Sequence, residues 1–117
     1  MIEKFGIGID IVSIKKFKDK PFDGNERFYK KIFLDNEIVY CLRFKNYAER
    51  FAGKFALKEA LIKSINEKLE FLEIETSHLD SKPKIKILNS KQDYKHLISL
   101  SHENELAVAV VISERIN

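Results

Sequence analysis

Residues 47–65 constrain the fold more than any other segment, because apolar residues recur there at helical spacing over about five turns. At about 100° per residue, the apolar side chains form two stripes and leave little of the surface polar. The first stripe is Phe51, Phe55, Ile62 and Ile65, and the second is Leu57 and Leu61. A helix that is apolar on most sides must be covered by other elements. The sequence therefore predicts a long, buried central helix.

Two charged residues, Glu59 and Lys63, lie four residues apart on one face of this predicted helix. An exposed pair at this spacing stabilises a helix by only about 0.3–0.5 kcal/mol. The flanking residues are small rather than polar, namely Ala48, Ala52 and Ala56. Small neighbours leave room for a ligand, so we predict that the pair lines a cleft.

Residues 5–12 alternate with a period of two, which predicts a strand. One face carries Phe5, Ile7, Ile9 and Ile11, and the other carries Gly6, Gly8 and Asp10. A carboxylate in such a strand is costly to bury without a partner or a cation. Asp10 either caps the following helix or ligates a hard cation such as Mg²⁺, which binds one or two carboxylates together with substrate phosphates. Glu59 is the natural second carboxylate.

The remaining segments predict short helices followed by antiparallel strands. We expect helices at 14–18 and 25–33, a helix from an N-cap at Asp35 towards residue 44, and two hairpins. The first hairpin pairs 72–76 with 85–88 across a turn at 77–83, and the second pairs 96–101 with 106–112 around 103–105. Helices followed by strands favour an α+β fold, and 117 residues suit one domain spanning 1–117.

Composition narrows the cellular setting. Apolar residues make up 44% and charged residues 33%, and the longest apolar stretches are far shorter than the ~20 residues that cross a bilayer. The first residues lack the layout of a signal peptide, so we expect a cytoplasmic protein without a membrane partner. Cys41 is the single cysteine, which excludes an internal disulfide and predicts a core thiol.

The formal net charge of +3 does not indicate nucleic-acid binding, and we predict no such partner. The basic residues are concentrated early in the chain, at Lys15, Lys16, Lys18 and Lys20, followed by Arg27, Lys30 and Lys31. This cluster is either an ordinary solvated face or a docking surface for an acidic partner.

Two familiar enzyme motifs are excluded. Ser101-His102 closes a predicted strand, but no Gly-x-Ser-x-Gly elbow accompanies it, so a serine hydrolase does not fit. Gly6 and Gly8 lack the third glycine of a dinucleotide fingerprint. Taken alone, His102 at a strand end is typical of a structural residue.

Three ordered segments resemble the holo-acyl-carrier-protein synthases of the 4'-phosphopantetheinyl transferase superfamily. Gly6-Ile-Gly-Ile-Asp-Ile-Val12 resembles the opening strand, and Phe51-Ala-Gly-Lys-Phe-Ala-Leu-Lys-Glu-Ala60 with Lys63 resembles the central helix. Ile98-Ser-Leu-Ser-His102 with Ala107-Val-Ala-Val-Val-Ile112 is similar to the closing hairpin. One departure is Ser64-Ile-Asn-Glu-Lys68, which stands where the family carries a Gly-Thr-Gly segment.

The resemblance implies a long central helix packed on a small antiparallel sheet, assembled as a homotrimer with active sites between subunits. It implies transfer of 4'-phosphopantetheine from coenzyme A to a serine of apo acyl carrier protein, as in fatty acid biosynthesis, with release of adenosine 3',5'-bisphosphate. Asp10 and Glu59 would hold Mg²⁺ with the coenzyme A pyrophosphate. Glu59 would help to remove the serine proton, and Lys63 would stabilise the leaving phosphate.

Five further positions follow from the resemblance. His102 would lie near the nucleotide end of coenzyme A, and Lys54 replaces a customary arginine that contacts the coenzyme. Lys16 would dock the carrier protein, assisted by Lys15 and Lys20. Two alternatives remain open: another Mg²⁺-dependent phosphoryl-transfer enzyme, such as a small phosphohydrolase, and a non-catalytic module that binds acidic proteins.

Overall fold

The order of helices and strands along the chain confirms the predicted α+β class. A computed structural model describes residues 4–116. The helices are α1 (Lys15–Lys18), α2 (Glu26–Lys30), α3 (Asp35–Leu42) and α4 (Tyr47–Ser64), followed by a short 3₁₀ helix at Phe71–Glu73. The strands are β1 (Phe5–Ser13), β2 (Ile74–Leu79), β3 (Lys82–Ile87), β4 (Asp93–Glu103) and β5 (Leu106–Ile116).

The long helix α4 lies directly on the glycine face of β1. A three-stranded antiparallel sheet has the order β1-β5-β4, while β2 and β3 form a separate hairpin. A Cβ atom added to Gly6 would lie 1.8 Å from the carbonyl oxygen of Ser64, and one on Gly8 would lie 1.9 Å from that of Ala60. Only residues without a side chain permit this approach, so β1 brings Asp10 against α4.

The alanines of α4 serve this close packing. Ala52 and Ala56 are fully buried, so they lie inside the fold, where their small size lets the helix approach its neighbours closely. That Glu59 and Lys63 line a cleft stays a prediction.

Aromatic side chains from the short helices fill the space beside α4. Phe17 of α1 and Tyr29 of α2 are fully buried, and the Tyr29 ring lies 4.6 Å from that of Phe51 on α4. Cys41 of α3 is also fully buried, which confirms the predicted core thiol. These residues join one hydrophobic cluster that also includes the inner face of β5.

The opposite face of the sheet is apolar and uncovered. Ile7, Ile9 and Ile11 are 67%, 55% and 61% exposed, and Leu97 of β4 is 72% exposed. The alternating pattern of β1 therefore places glycine and Asp10 towards the helix and the large aliphatic residues outwards. Within residues 4–116, no helix has the length and apolar character needed to cross a bilayer.

Several predicted boundaries were wrong by a few residues. Asp35 is the first residue of α3 rather than its cap, because the Glu37 carboxylate reaches back and accepts a hydrogen bond from the backbone N–H of Leu34 at 2.7 Å. Helix α2 ends at Lys30 instead of continuing to residue 33. The β2–β3 turn consists of Asp80 and Ser81, both with positive φ, so the strands extend into the segment predicted as a turn.

Candidate functional site

A lysine from α4 joins the carboxylate of β1 to the central helix. The Lys63 ammonium donates to the Asp10 carboxylate at 3.1 Å and to the carbonyl oxygen of Ile9 at 3.0 Å. The Asp10 side chain is 13% exposed and the Lys63 side chain 53% exposed. Asp10 is thus held in place, whereas the lysine remains accessible to a ligand.

Glu59 lies one helical turn before Lys63 on the same face of α4 and is half-buried. Burial raises the pKa of its carboxyl group, and the negative charge of Asp10 raises it further. Lys63 and Lys16 act in the opposite direction. The structure therefore brings together a trio of residues, Asp10, Glu59 and Lys63, as the sequence predicted.

The paired carboxylates have the donor chemistry of a magnesium site. Two carboxylates that lie close together repel each other, and a cation between them relieves this repulsion. Mg²⁺ is bound through one or two carboxylates, with water and phosphate oxygens completing its shell. Asp10 and Glu59 supply such a pair, and the exposed side of the site leaves the remaining positions to water and substrate.

The three lysines predicted to bind a partner differ in their surroundings. The Lys16 ammonium lies 4.2 Å above the ring of Phe55, one turn before Glu59 on α4. Lys15 pairs with Asp19 at 2.7 Å on the surface, and the Lys20 ammonium lies 4.8 Å from the ring of Phe28. All three lysines are exposed, and Lys16 is the one whose charge acts on Glu59.

His102 and Lys54 lie apart from the trio within one subunit. His102 is exposed and packs against Gly53, where an added Cβ would lie 3.2 Å from its Nε2 atom. Gly53 precedes Glu59 by six residues, or about 9 Å along the helix axis. Lys54 is only 3% exposed and donates to the side-chain oxygen of Thr76 on β2 at 3.0 Å, away from Glu59.

Sequence reasoning missed a buried ion pair on the far side of α4. The fully buried ammonium of Lys58 donates to the Glu37 carboxylate of α3 at 2.7 Å, and to the carbonyl oxygens of Ile32 at 2.8 Å and Phe71 at 3.0 Å. The second Glu37 oxygen accepts from the backbone N–H of Thr76 at 2.7 Å. The available signal was two lysines, at 54 and 58, on a helix whose other positions indicated burial.

The fold and the site identify the class of protein. A family model described as the 4'-phosphopantetheinyl transferase superfamily matches residues 6–111. The chain belongs to this superfamily.

Curated relatives identify the family within this superfamily. The chain is 36% identical over 118 residues to the holo-[acyl-carrier-protein] synthase of Chlamydia trachomatis serovar L2, covering 94% of this chain and 99% of that protein. It is 35% identical over 116 residues to the synthase of Thermodesulfovibrio yellowstonii, covering 96% and 98%. The chain is therefore a member of the holo-acyl-carrier-protein synthase family.

Solved structures agree with this placement. The synthase of Helicobacter pylori, in complex with coenzyme A, has a TM-score of 0.77 and 33% identity, covering 92% of this chain and 99% of that chain. The synthase of Bacillus anthracis, in complex with CoA (3',5'-ADP), has a TM-score of 0.74 and 33% identity, covering 93% and 95%.

Proposed function

We propose that this protein transfers 4'-phosphopantetheine from coenzyme A to a serine of apo acyl carrier protein in a magnesium-dependent reaction. The observation that carries the proposal is the convergence of Asp10, Glu59 and Lys63, from the first strand and the central helix, in a member of the synthase family. Two relatives of known structure were solved with coenzyme A, which supports this coenzyme as the donor.

The reaction exchanges a phosphoanhydride bond for a phosphodiester bond. The serine oxygen of the carrier attacks the phosphorus that bears pantetheine, and the bond to the second phosphate of the pyrophosphate breaks. Adenosine 3',5'-bisphosphate leaves with the electron pair of that bond. Such a transfer depends chiefly on positioning and on neutralising phosphate charge.

Asp10 and Glu59 would hold Mg²⁺, which would neutralise the pyrophosphate when bound. Lys63 is half exposed, so its ammonium can leave Asp10 and contact the departing phosphate. Glu59 accepts the serine proton, directly or through a water molecule. The raised pKa of its carboxyl group makes it a stronger base than an exposed glutamate.

The basic edge of α1 suits an acidic carrier. Lys16 lies beside the helix turn that precedes Glu59, and Lys15 and Lys20 extend the same edge. A carrier bound there would place its serine next to the trio. Long-range attraction between the two proteins would speed their encounter.

We also propose that the chain assembles as a cytoplasmic homotrimer. The uncovered aliphatic face formed by β1, β5 and β4 supports self-association, because large exposed apolar patches mark interaction surfaces. In such an assembly His102 would approach coenzyme A bound to the Glu59 of a neighbouring subunit.

The direct test combines the protein with coenzyme A, MgCl₂ and apo acyl carrier protein, and follows the carrier by intact mass spectrometry. We expect a mass gain of one phosphopantetheine group with equimolar release of adenosine bisphosphate. Glu59→Gln and Asp10→Asn should abolish it, whereas Glu26→Gln, an exposed control on α2, should not. Hydrolysis of coenzyme A without modified carrier would instead support a phosphohydrolase, and carrier binding without chemistry would support a docking module.

A further inference from the structure

Three polar side chains form a continuous hydrogen-bonded line at the end of α4. Ser64, the last residue of the helix, has its Oγ atom 2.6 Å from that of Ser113 on β5, and Ser113 Oγ lies 2.8 Å from His96 Nδ1 on β4. Ser64 also donates to the carbonyl oxygen of Leu61 at 2.8 Å. The two serines are buried, at 5% and 2% exposure. We name His96, Ser113 and Ser64 the hydroxyl relay.

The number of available protons fixes the direction of the hydroxyl relay. The Leu61 carbonyl can only accept, so it takes the single hydroxyl proton of Ser64. Ser64 Oγ then accepts from Ser113, and Ser113 Oγ accepts in turn from His96 Nδ1. Because buried polar groups are rarely left unpaired, the three contacts together require a proton on Nδ1 of His96. In the neutral imidazole this leaves Nε2 without a proton.

The direction of the hydroxyl relay does not depend on the charge of His96. Burial lowers the pKa of the imidazole, so the ring is neutral at neutral pH. The ring of Tyr94 stacks on it with centroids 5.8 Å apart, and burial raises the pKa of the Tyr94 hydroxyl to about 12, so this neighbour is neutral too. The neutral ring with its proton on Nδ1 and the charged ring both donate to Ser113. The relay therefore holds in either protonation state.

The hydroxyl relay ends beside Lys63 of the trio. Ser64 follows Lys63 directly, and its carbonyl oxygen is the atom that a Cβ on Gly6 would approach to 1.8 Å. This turn of α4 is therefore held by β1 on one side and by Ser113 of β5 on another. A cavity of about 280 Å³ also borders Lys63, Ser64 and Ser113. Packing alone leaves the turn room to shift, and the hydrogen bonds of the relay restrict that shift.

We propose that His96 and Ser113 are positioning residues for the transfer reaction. Through Ser64 they hold the last turn of α4, so that the Lys63 ammonium is directed at the phosphate that departs. This inference rests on the proposed function of the protein. A group that acts on the departing phosphate contributes mainly in the transition state, so its displacement lowers kcat and leaves the KM for coenzyme A nearly unchanged.

The kinetic experiment removes the donor and then restores it. His96→Phe keeps a ring but has no Nδ1–H, and Ser113→Ala interrupts the hydroxyl relay; each should lower kcat about tenfold, because small misplacements of reacting groups cost up to about 100-fold in rate. His96→Asn retains an N–H donor near the position of Nδ1 and should recover most of the loss. The matched control is Ser90→Ala, which removes hydroxyl contacts to Gln92 in the β3–β4 loop and should leave kcat unchanged.

A double-mutant cycle separates positioning from a merely structural role. If His96 acts through Lys63, His96→Phe should lower kcat no further in a Lys63→Met protein. A further loss as large as in the wild type would overturn the proposal, because it would show that His96 acts independently of Lys63. Wild-type kcat in folded His96→Phe and Ser113→Ala would overturn it as well.

NMR spectroscopy tests the hydroxyl relay without relying on activity. The ¹⁵N signals of His96, assigned by their loss in His96→Phe, should show a protonated Nδ1 and an unprotonated Nε2 at neutral pH. The side-chain Cε signal of Lys63, assigned by its loss in Lys63→Met, should shift in His96→Phe and stay in place in Ser90→Ala. An unprotonated Nδ1 or an unmoved Lys63 signal would overturn the inference. Absence of transfer by the wild-type protein would refute the proposed function instead, with the relay still decided by these two signals.

Discussion

Replacing Gly8 by alanine should separate Asp10 from the central helix. The added Cβ would lie 1.9 Å from the carbonyl oxygen of Ala60, whereas such atoms do not come closer than about 3.0 Å. Strand and helix must therefore move apart by about 1.1 Å, and Asp10 moves with the strand. Overpacking of this kind costs about 1–3 kcal/mol of unfolding free energy. A displacement of about 1 Å at reacting groups lowers the rate about 100-fold.

Urea denaturation measures the loss of stability, and steady-state transfer to apo carrier protein measures the loss of rate. The matched control is Gly24→Ala, where no atom lies within 4 Å of the added Cβ although φ is +88°. It should lose about 1–2 kcal/mol through backbone strain alone and retain full activity when folded. Wild-type kcat/KM in folded Gly8→Ala would refute the reasoning, because it would show that the spacing of β1 and α4 does not govern the site.

Three further predictions concern individual charges. Lys58→Met should lower the unfolding free energy by about 3–5 kcal/mol by leaving Glu37 buried and unpaired. Glu37→Gln in the same chain removes the buried charge and keeps an oxygen for the N–H groups of Leu34 and Thr76, so it should restore part of the loss in urea denaturation. Because the pKa of Glu59 is raised above its ordinary value of 4.5, folding favours its protonated form, and this stability is lost as pH rises through the raised pKa. The Glu59→Gln variant should therefore have a higher melting temperature than the wild type at neutral pH, and this difference should vanish below pH 4.5. A difference in melting temperature that does not change with pH would contradict the raised pKa of Glu59. Lys16→Glu should raise the KM for carrier about tenfold at low salt with little change in kcat. The effect should shrink at about 1 M salt, where the Debye length is only about 3 Å. A salt-independent KM would remove Lys16 from docking.

Local patterns were sufficient to predict the elements that carry the trio. The helical spacing of α4 places Glu59 and Lys63 on one face, and the alternation in β1 separates Asp10 from the isoleucines. Both are short-range regularities, so they survive folding unchanged. The pairing of Asp10 with Glu59 of α4 was predicted from the chemistry of two carboxylates and from the family resemblance, not from the glycine positions.

Long-range partners could not be predicted in the same way. Lys58 pairs with Glu37, which is 21 residues away in the chain, and no local spacing links the two positions. The resemblance implies that Lys54 contacts the coenzyme, which stays a prediction; its hydrogen bonds to two oxygens of Thr76, 22 residues away in the chain, could not be predicted from local spacing. Alternation in β1 also does not show which face meets the helix. The glycine face of β1 packs against helix α4 because close approach depends on side-chain size as well as on polarity.

The separation of His102 from Glu59 within one subunit gives a test of shared active sites. In a cyclic trimer, each interface joins two different surfaces of neighbouring subunits. In the proposed homotrimer, the Glu59→Gln and His102→Ala variants should each be nearly inactive. Unfolding and refolding an equal mixture should produce mixed trimers in which about a quarter of the interfaces join an intact Glu59 to an intact His102. Activity near a quarter of the wild-type value would then return, whereas a site built within one subunit requires both residues on the same chain and would regain none.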